Sequence, residues 1–123
     1  MLDDGVLGNH EDLSDNFLLE KNYTDLDVED MLHPQRHGTK CTGIISAVNN
    51  NKGLVGVAHG CKLASFIVLS YQYTRVGGHL DESEIVEYFS DELFEDAIHY
   101  ACDSALASVF SFSWGFKGML SET

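Results

Sequence analysis

The side chains able to do chemistry fall at four places in a chain of 123 residues. Leu2-Asp3-Asp4-Gly5-Val6 sets two acids directly before a glycine turn. His37-Gly38-Thr39-Lys40-Cys41-Thr42-Gly43 puts a histidine at the start of a predicted helix, with glycines that let another backbone approach closely. Val48-Asn49-Asn50-Asn51-Lys52-Gly53-Leu54-Val55-Gly56-Val57-Ala58 follows that helix, and Ser113-Trp114-Gly115 closes an apolar stretch. Carboxylate and imidazole are side chains that move and orient protons. Taken singly, each motif has an ordinary structural reading: a turn acid, a satisfied helix histidine, a helix-terminating loop, and a strand end closed by glycine.

The elements that must hold these residues are legible from periodicity. Residues 3–16 read as a loop with one helical turn over 11–16, and residues 18–36 as a polar surface excursion interrupted by Pro34, with a further turn over 28–32. Cys41, Ile44, Ile45 and Val48 recur at helical spacing from His37 until the asparagine run stops them. Residues 62–69 (KLASFIVL) are continuous and apolar, as a buried strand should be. Residues 70–78 read as a polar connection. Helical periodicity is expected over 81–89 and, through Leu93, Phe94, Ala97, Ile98 and Ala101, over 91–105, with Asp91 and Glu92 suited to a helix start. Residues 107–114 (ASVFSFSW) complete a strand, helix, strand order that implies parallel pairing. The expected class is α/β: a mainly parallel β-sheet with flanking helices, in one domain at most.

Charge limits the partners. The formal net charge is −13, with ten of the twenty acids in residues 1–30 and nine more in 81–103, so nucleic acid is excluded as a natural partner. Most of these acids read as solvated surface, with a cation-binding cleft as the sharper alternative. Cys41, Cys61 and Cys102 make an odd count without C-x-x-C spacing, against a zinc site or a closed disulfide framework. No stretch has the length of a membrane span, and no signal peptide is visible at the start.

In this order and spacing the four motifs resemble the subtilisin family of serine proteases. His10-Glu11-Asp12-Leu13, Cys41 and the Ser113-Trp114-Gly115 triplet look most like its kexin and furin branch. The resemblance spans essentially the whole chain and implies a partial subtilisin-like fold, the N-terminal portion of a catalytic domain incomplete at both ends. It implies that Asp3 is the triad carboxylate and His37 the general base. A carboxylate accepting the Nδ1–H of an imidazole fixes its tautomer and stabilises the imidazolium formed when the base takes the serine proton. The resemblance also implies a structural calcium bound by Asp12, Val48, Asn50, Lys52 and Leu54 through carboxylate, amide and carbonyl oxygens. Substrate recognition by Asp4, Ser113, Trp114 and Gly115 is implied as well, the triplet pairing with extended polypeptide; for Asp4, a turn acid bonding backbone N–H groups is the equal alternative. Cys41 matches the family's buried thiol beside the histidine. A propeptide partner and the secretory pathway or secretion belong to the same implication.

Two departures bear on specificity. Pro34 stands where the kexin branch usually carries another acid, and Phe116-Lys117-Gly118 follow the triplet where it usually has Pro and acids, so preference for paired basic residues has no support here. No Gly-Thr-Ser segment follows Gly115; the implied nucleophilic serine and oxyanion asparagine lie outside these residues, and the chain alone is expected to be inactive. The rival reading is a non-catalytic subtilase-like module that binds calcium or peptide. A nucleotide-binding module ranks last, because neither G-x-G-x-x-G nor a Walker pattern occurs.

Overall fold

The computed structural model describes residues 1–27, 36–76 and 79–115, with backbone alone over 71–76 and 79–88. At its centre is a parallel sheet of three strands, ordered β1-β3-β2. β3 (Leu63–Ile67) lies in the middle, between β1 (Leu2–Asp3) and β2 (Phe17–Asn22). Leu2 stands opposite Phe66 and Asp3 opposite Ile67. β3 falls inside the predicted apolar run, and Phe66, Ile67, Val68 and Leu69 are each at most 2% exposed, as a strand covered on both faces requires.

Two helices cover the sheet. α1 (His37–Ser46) and α2 (Asp91–Asp103) both lie where periodicity places them. α2 begins at Ser90, whose hydroxyl accepts from Leu93 N, with Asp91 and Glu92 in the first turn where the helix dipole favours acids. Its Ala97 and Ala101 pack on Leu2, Phe66, Val68 and Leu69. A second cluster joins Met1, Val6, Leu13 and Leu63 to Ala47, the residue that ends α1. Side chains alternate across a strand, so neighbouring Met1 and Leu2 serve the two clusters separately.

The helical turn expected near 11–16 is present: Leu13 N and Ser14 N donate to His10 O, and Phe17 N donates to Leu13 O at 3.0 Å. Three expectations need correction here. Residues 17–22 form β2 instead of a surface excursion; Leu18 is 52% exposed, so this edge strand shows little alternation in sequence. Residues 70–78 and 81–89, expected as a connection and a helix, contribute β4 (Ser70–Val76) and β5 (His79–Tyr88), an antiparallel pair. Tyr71, Tyr73, Thr74, Ile85, Val86 and Tyr88 are strand formers, and acids at 81, 84 and 87 repel one another at helical spacing.

Residues 107–114, expected as a strand, supply one isolated parallel bridge, Phe112 to Leu2, and no regular strand. On α1 the buried stripe is Gly38, Thr42 and Ser46, while Ile44 is 61% exposed. Small residues at that spacing bring the helix closer to its neighbours than the apolar positions would. The turn expected over 28–32, Pro34 and residues 116–118 lie outside the described residues. Among the described residues no helix is long and apolar enough to cross a membrane.

Asn16 ties this half of the fold together. Its side-chain amide, in a residue 5% exposed, donates to Ser46 O at 2.9 Å and to His59 O at 2.7 Å, satisfying a carbonyl at the end of α1 and one in the returning loop. Asn16→Ala removes both donors, and leaving buried carbonyls unpaired costs about 1–3 kcal/mol. The expected result is a lower urea midpoint at unchanged m-value, measured by tryptophan fluorescence or circular dichroism.

Candidate functional site

β1 ends on Asp3, and Gly5 turns the chain with φ 102°, a conformation that glycine reaches without strain. The turn is held from three directions. Val6 N donates to Glu20 Oε2 on β2, Leu7 N donates to Thr39 Oγ1 on α1, and Ser65 Oγ of β3 donates to the same Glu20 oxygen. α1 therefore starts against the turn, and the contact is close enough to exclude any side chain at position 38. A Cβ there would overlap the Gly5 carbonyl oxygen and stand 3.0 Å from Asp3 Cβ and 3.1 Å from Asp4 Oδ1.

This approach brings Asp3 and His37 together. His37 Nδ1 lies 2.7 Å from Asp3 Oδ1, and Asp4 N donates to the same oxygen at 2.8 Å. Asp3 is buried, with its side chain 1% exposed, whereas the His37 side chain is 51% exposed. The imidazole thus has one nitrogen against a buried carboxylate and an open outer edge. Asp3 Oδ2 is buried and accepts no hydrogen bond from the described residues. Cys41 Sγ stands one helical turn on, 3.7 Å from His37 Nε2, and the thiol is partly buried. All three cysteines are free.

Asp4 is 4% exposed. Its Oδ2 accepts from His37 N at 2.9 Å and its Oδ1 from Gly38 N at 2.7 Å. Burial raises the Asp4 carboxyl above the ordinary carboxylate range; the amides of Gly38 and His37 pull it down, and neighbouring Asp3 adds to the rise.

At the far end of α1, residues 48–54 leave the helix and fold back beside Asp12. Val48 N donates to Asp12 O, and the Asn50 side-chain amide meets Asp12 Oδ1 at 2.9 Å. Gly53, at φ 47°, has Asp12 Oδ2 2.8 Å from where a Cβ would stand, so the carboxylate fills space that only glycine leaves. Lys52 Nζ pairs with Glu11 at 2.9 Å. A carboxylate, a side-chain amide and a run of loop carbonyls are the hard oxygen donors suited to a divalent cation such as calcium. The chemistry of Asp12 and Asn50 fits that set. The loop then returns: Gly56 N, Val57 N and Ala58 N donate to Ala47 O, Ile44 O and Ile45 O, closing the carbonyl end of α1.

Ser113 and Gly115 are exposed beside the sheet, next to the Phe112 bridge. Trp114 is half-buried; its Nε1 donates to Leu2 O at 2.8 Å, and its ring packs against Phe89 and Phe94 at 5.3 and 5.7 Å. Sequence reasoning missed Glu20, Thr39 and Asn16. Thr39 stood inside the quoted histidine motif and was the one within reach.

These features are those of a subtilisin-type α/β framework, with an acid ending a parallel strand beside the central one and a histidine opening a helix. The model of the subtilase family matches residues 1–122, and the chain belongs to that family. Among curated proteins it is 34% identical over 94% of its length to a dibasic-processing endoprotease of Yarrowia lipolytica. It is 34% identical to human proprotein convertase subtilisin/kexin type 7 and 32% identical to furin-1 of Xenopus laevis, in each case over 94% of this chain. It spans 10% of the first relative and 13% of the other two.

Gly38→Ala tests the close approach. Helix propensity alone favours alanine by about 1 kcal/mol. The overlap with the Gly5 carbonyl outweighs it, so overpacking should lower stability by about 1–3 kcal/mol. The measurement is denaturant unfolding together with the His37 Nδ1–H proton resonance, which should broaden or move upfield.

Proposed function

We propose that these residues form the Asp–His half of a serine endopeptidase active site, whose nucleophilic serine comes from outside residues 1–123. The observation that carries this reading is the 2.7 Å contact between Nδ1 of half-exposed His37 and buried Asp3 Oδ1. In this reading Asp3 holds the imidazole with Nδ1 protonated, leaving Nε2 as the base. As the serine oxygen attacks the peptide carbonyl, Nε2 takes the hydroxyl proton, and it later gives that proton to the leaving amine. Asp3 stays ionised and stabilises the imidazolium between those steps. The substrate is a polypeptide, its backbone pairing along Ser113, Trp114 and Gly115 in extended form. Calcium is the structural ion, held by Asp12, Val48, Asn50, Lys52 and Leu54, and the role of that ion is to stabilise the fold.

Hydrolysis of peptide substrates by the full protein should be blocked by serine-directed reagents. His37→Ala should lower kcat by roughly 10⁴-fold or more, the scale of triad losses. The isolated 123-residue chain should hydrolyse nothing. Turnover by that chain, or full activity after His37→Ala, would sink the assignment.

Calcium is tested by linkage. A ligand bound only by the folded state raises stability by about 2.7 kcal/mol at a hundred times its Kd. Thermal unfolding should therefore shift upward with calcium and downward with chelator. Asp12→Ala should remove most of that shift; an unchanged calcium response in this variant would rule out the assigned ligands.

A further inference from the structure

α1 lacks the ordinary means of starting a helix. Arg36 at its N-cap makes no side-chain cap hydrogen bond, and its first turn carries no acid. The first two helical amides are instead taken by a residue 33 and 34 positions away, His37 N by Asp4 Oδ2 and Gly38 N by Asp4 Oδ1. Both oxygens are engaged, and the residue is 4% exposed.

We propose that Asp4 is a positioning residue for His37, clamping the backbone of α1 while Asp3 holds the imidazole. This rests on the reading of Asp3 and His37 as a working pair. The last residue of β1 and the one directly after it then grip the same histidine, one at its side chain and one at its main-chain nitrogen. That grip fixes both the position of the Cα and the direction of the ring. The helix dipole places partial positive charge where the carboxylate sits, so charge and hydrogen bonds act together. The clamp is reciprocal: Thr39 Oγ1 accepts from Leu7 N at 2.8 Å, tying the same first turn of the helix back to the loop.

The competing role is contact with a basic substrate side chain. A cation would have to reach a carboxylate that is 4% exposed and whose two oxygens each already accept from a helix amide. Accordingly, Asp4 acts on the rate through His37 and not on the choice of substrate.

The test uses the full protein with Asp4→Ala and Asp4→Asn, the latter keeping one acceptor oxygen. Two peptides differing only in Lys or Ala at the residue preceding the one at the cleaved bond are compared. A displacement near 1 Å costs about 10²-fold in rate, so kcat should fall roughly 10- to 100-fold in Asp4→Ala and less in Asp4→Asn. The KM ratio of the two peptides should stay unchanged, and the pH at which kcat/KM rises should move with His37. Retained kcat with a KM penalty confined to the Lys peptide overturns the proposal. Nitrogen-15 shifts of His37 supply an independent readout, expected to move in both variants. If the unsubstituted protein cleaves nothing, the protease reading fails while these shifts still decide the clamp: unchanged shifts reject it. If Asp4→Ala does not fold, Asp4→Asn decides both measurements.

Discussion

β1 is only two residues long, yet the site hangs from it. Its backbone is bonded on both sides: Phe66 N donates to Met1 O and Val68 N to Asp3 O, while Leu2 N donates to Ser111 O on the other side. The indole of Trp114 adds a donor to Leu2 O. A strand so short cannot be held by ladder bonds alone. Leu2 is fully buried in one cluster and Met1 in the other, so packing on both faces sets the register that side-chain alternation then reads out. Slipping β1 by one residue would exchange these faces and turn Asp3 away from α1.

That register places adjacent acids in the interior of a molecule already carrying a net charge of −13. Burial of one carboxylate is costly, and a second beside it adds repulsion. No lysine or arginine neutralises them among the described residues; Lys52, the clearest cation pair, sits with Glu11 at the surface. The compensation is dipolar. Asp4 N and the His37 ring serve Asp3, while the first amides of α1 serve Asp4. Apart from the His37 ring, the partners of these carboxylates among the described residues are backbone amides, which are fixed in place.

What the sequence disclosed follows the same physics. β3 and α2 were legible because an apolar run and a clean helical period report burial directly, and α2 carries its own cap at Ser90. Asp3 and His37 stood out only through the order and spacing of the four motifs, since an Asp-Asp-Gly turn alone reads as an ordinary turn. β2 was hidden because a half-exposed edge strand has almost no alternation. The β4–β5 pair was hidden because acids at helical spacing imitate an amphipathic pattern without its favourable contacts. On α1 the apolar period marked the helix but not its most buried stripe, which is Gly38, Thr42 and Ser46, while Ile44 is exposed. Glu20 and Asn16 bond to backbone atoms far away in sequence, and no local pattern records such a partner.

α1 links the two ends of the site. At about 1.5 Å per residue its ten residues span about 15 Å, with the histidine at one end and the oxygen-rich loop at the other. Both ends depend on distant groups: Asp4 closes the amide end, while Asn16 and residues 56–58 join the local Ala47 N to Gly43 O bond at the carbonyl end. A short helix held only by its neighbours is as rigid as those contacts, because isolated helices of this length do not persist in water. Asp12 belongs to the contacts at the carbonyl end, and its main-chain oxygen takes Val48 N as the loop begins. In the proposed reading, a cation drawing Asp12 and the 48–54 loop together orders the helix end opposite His37. Calcium then stabilises the placement of the imidazole without approaching it, and the loop and the Asp4 clamp become the two supports of one rod.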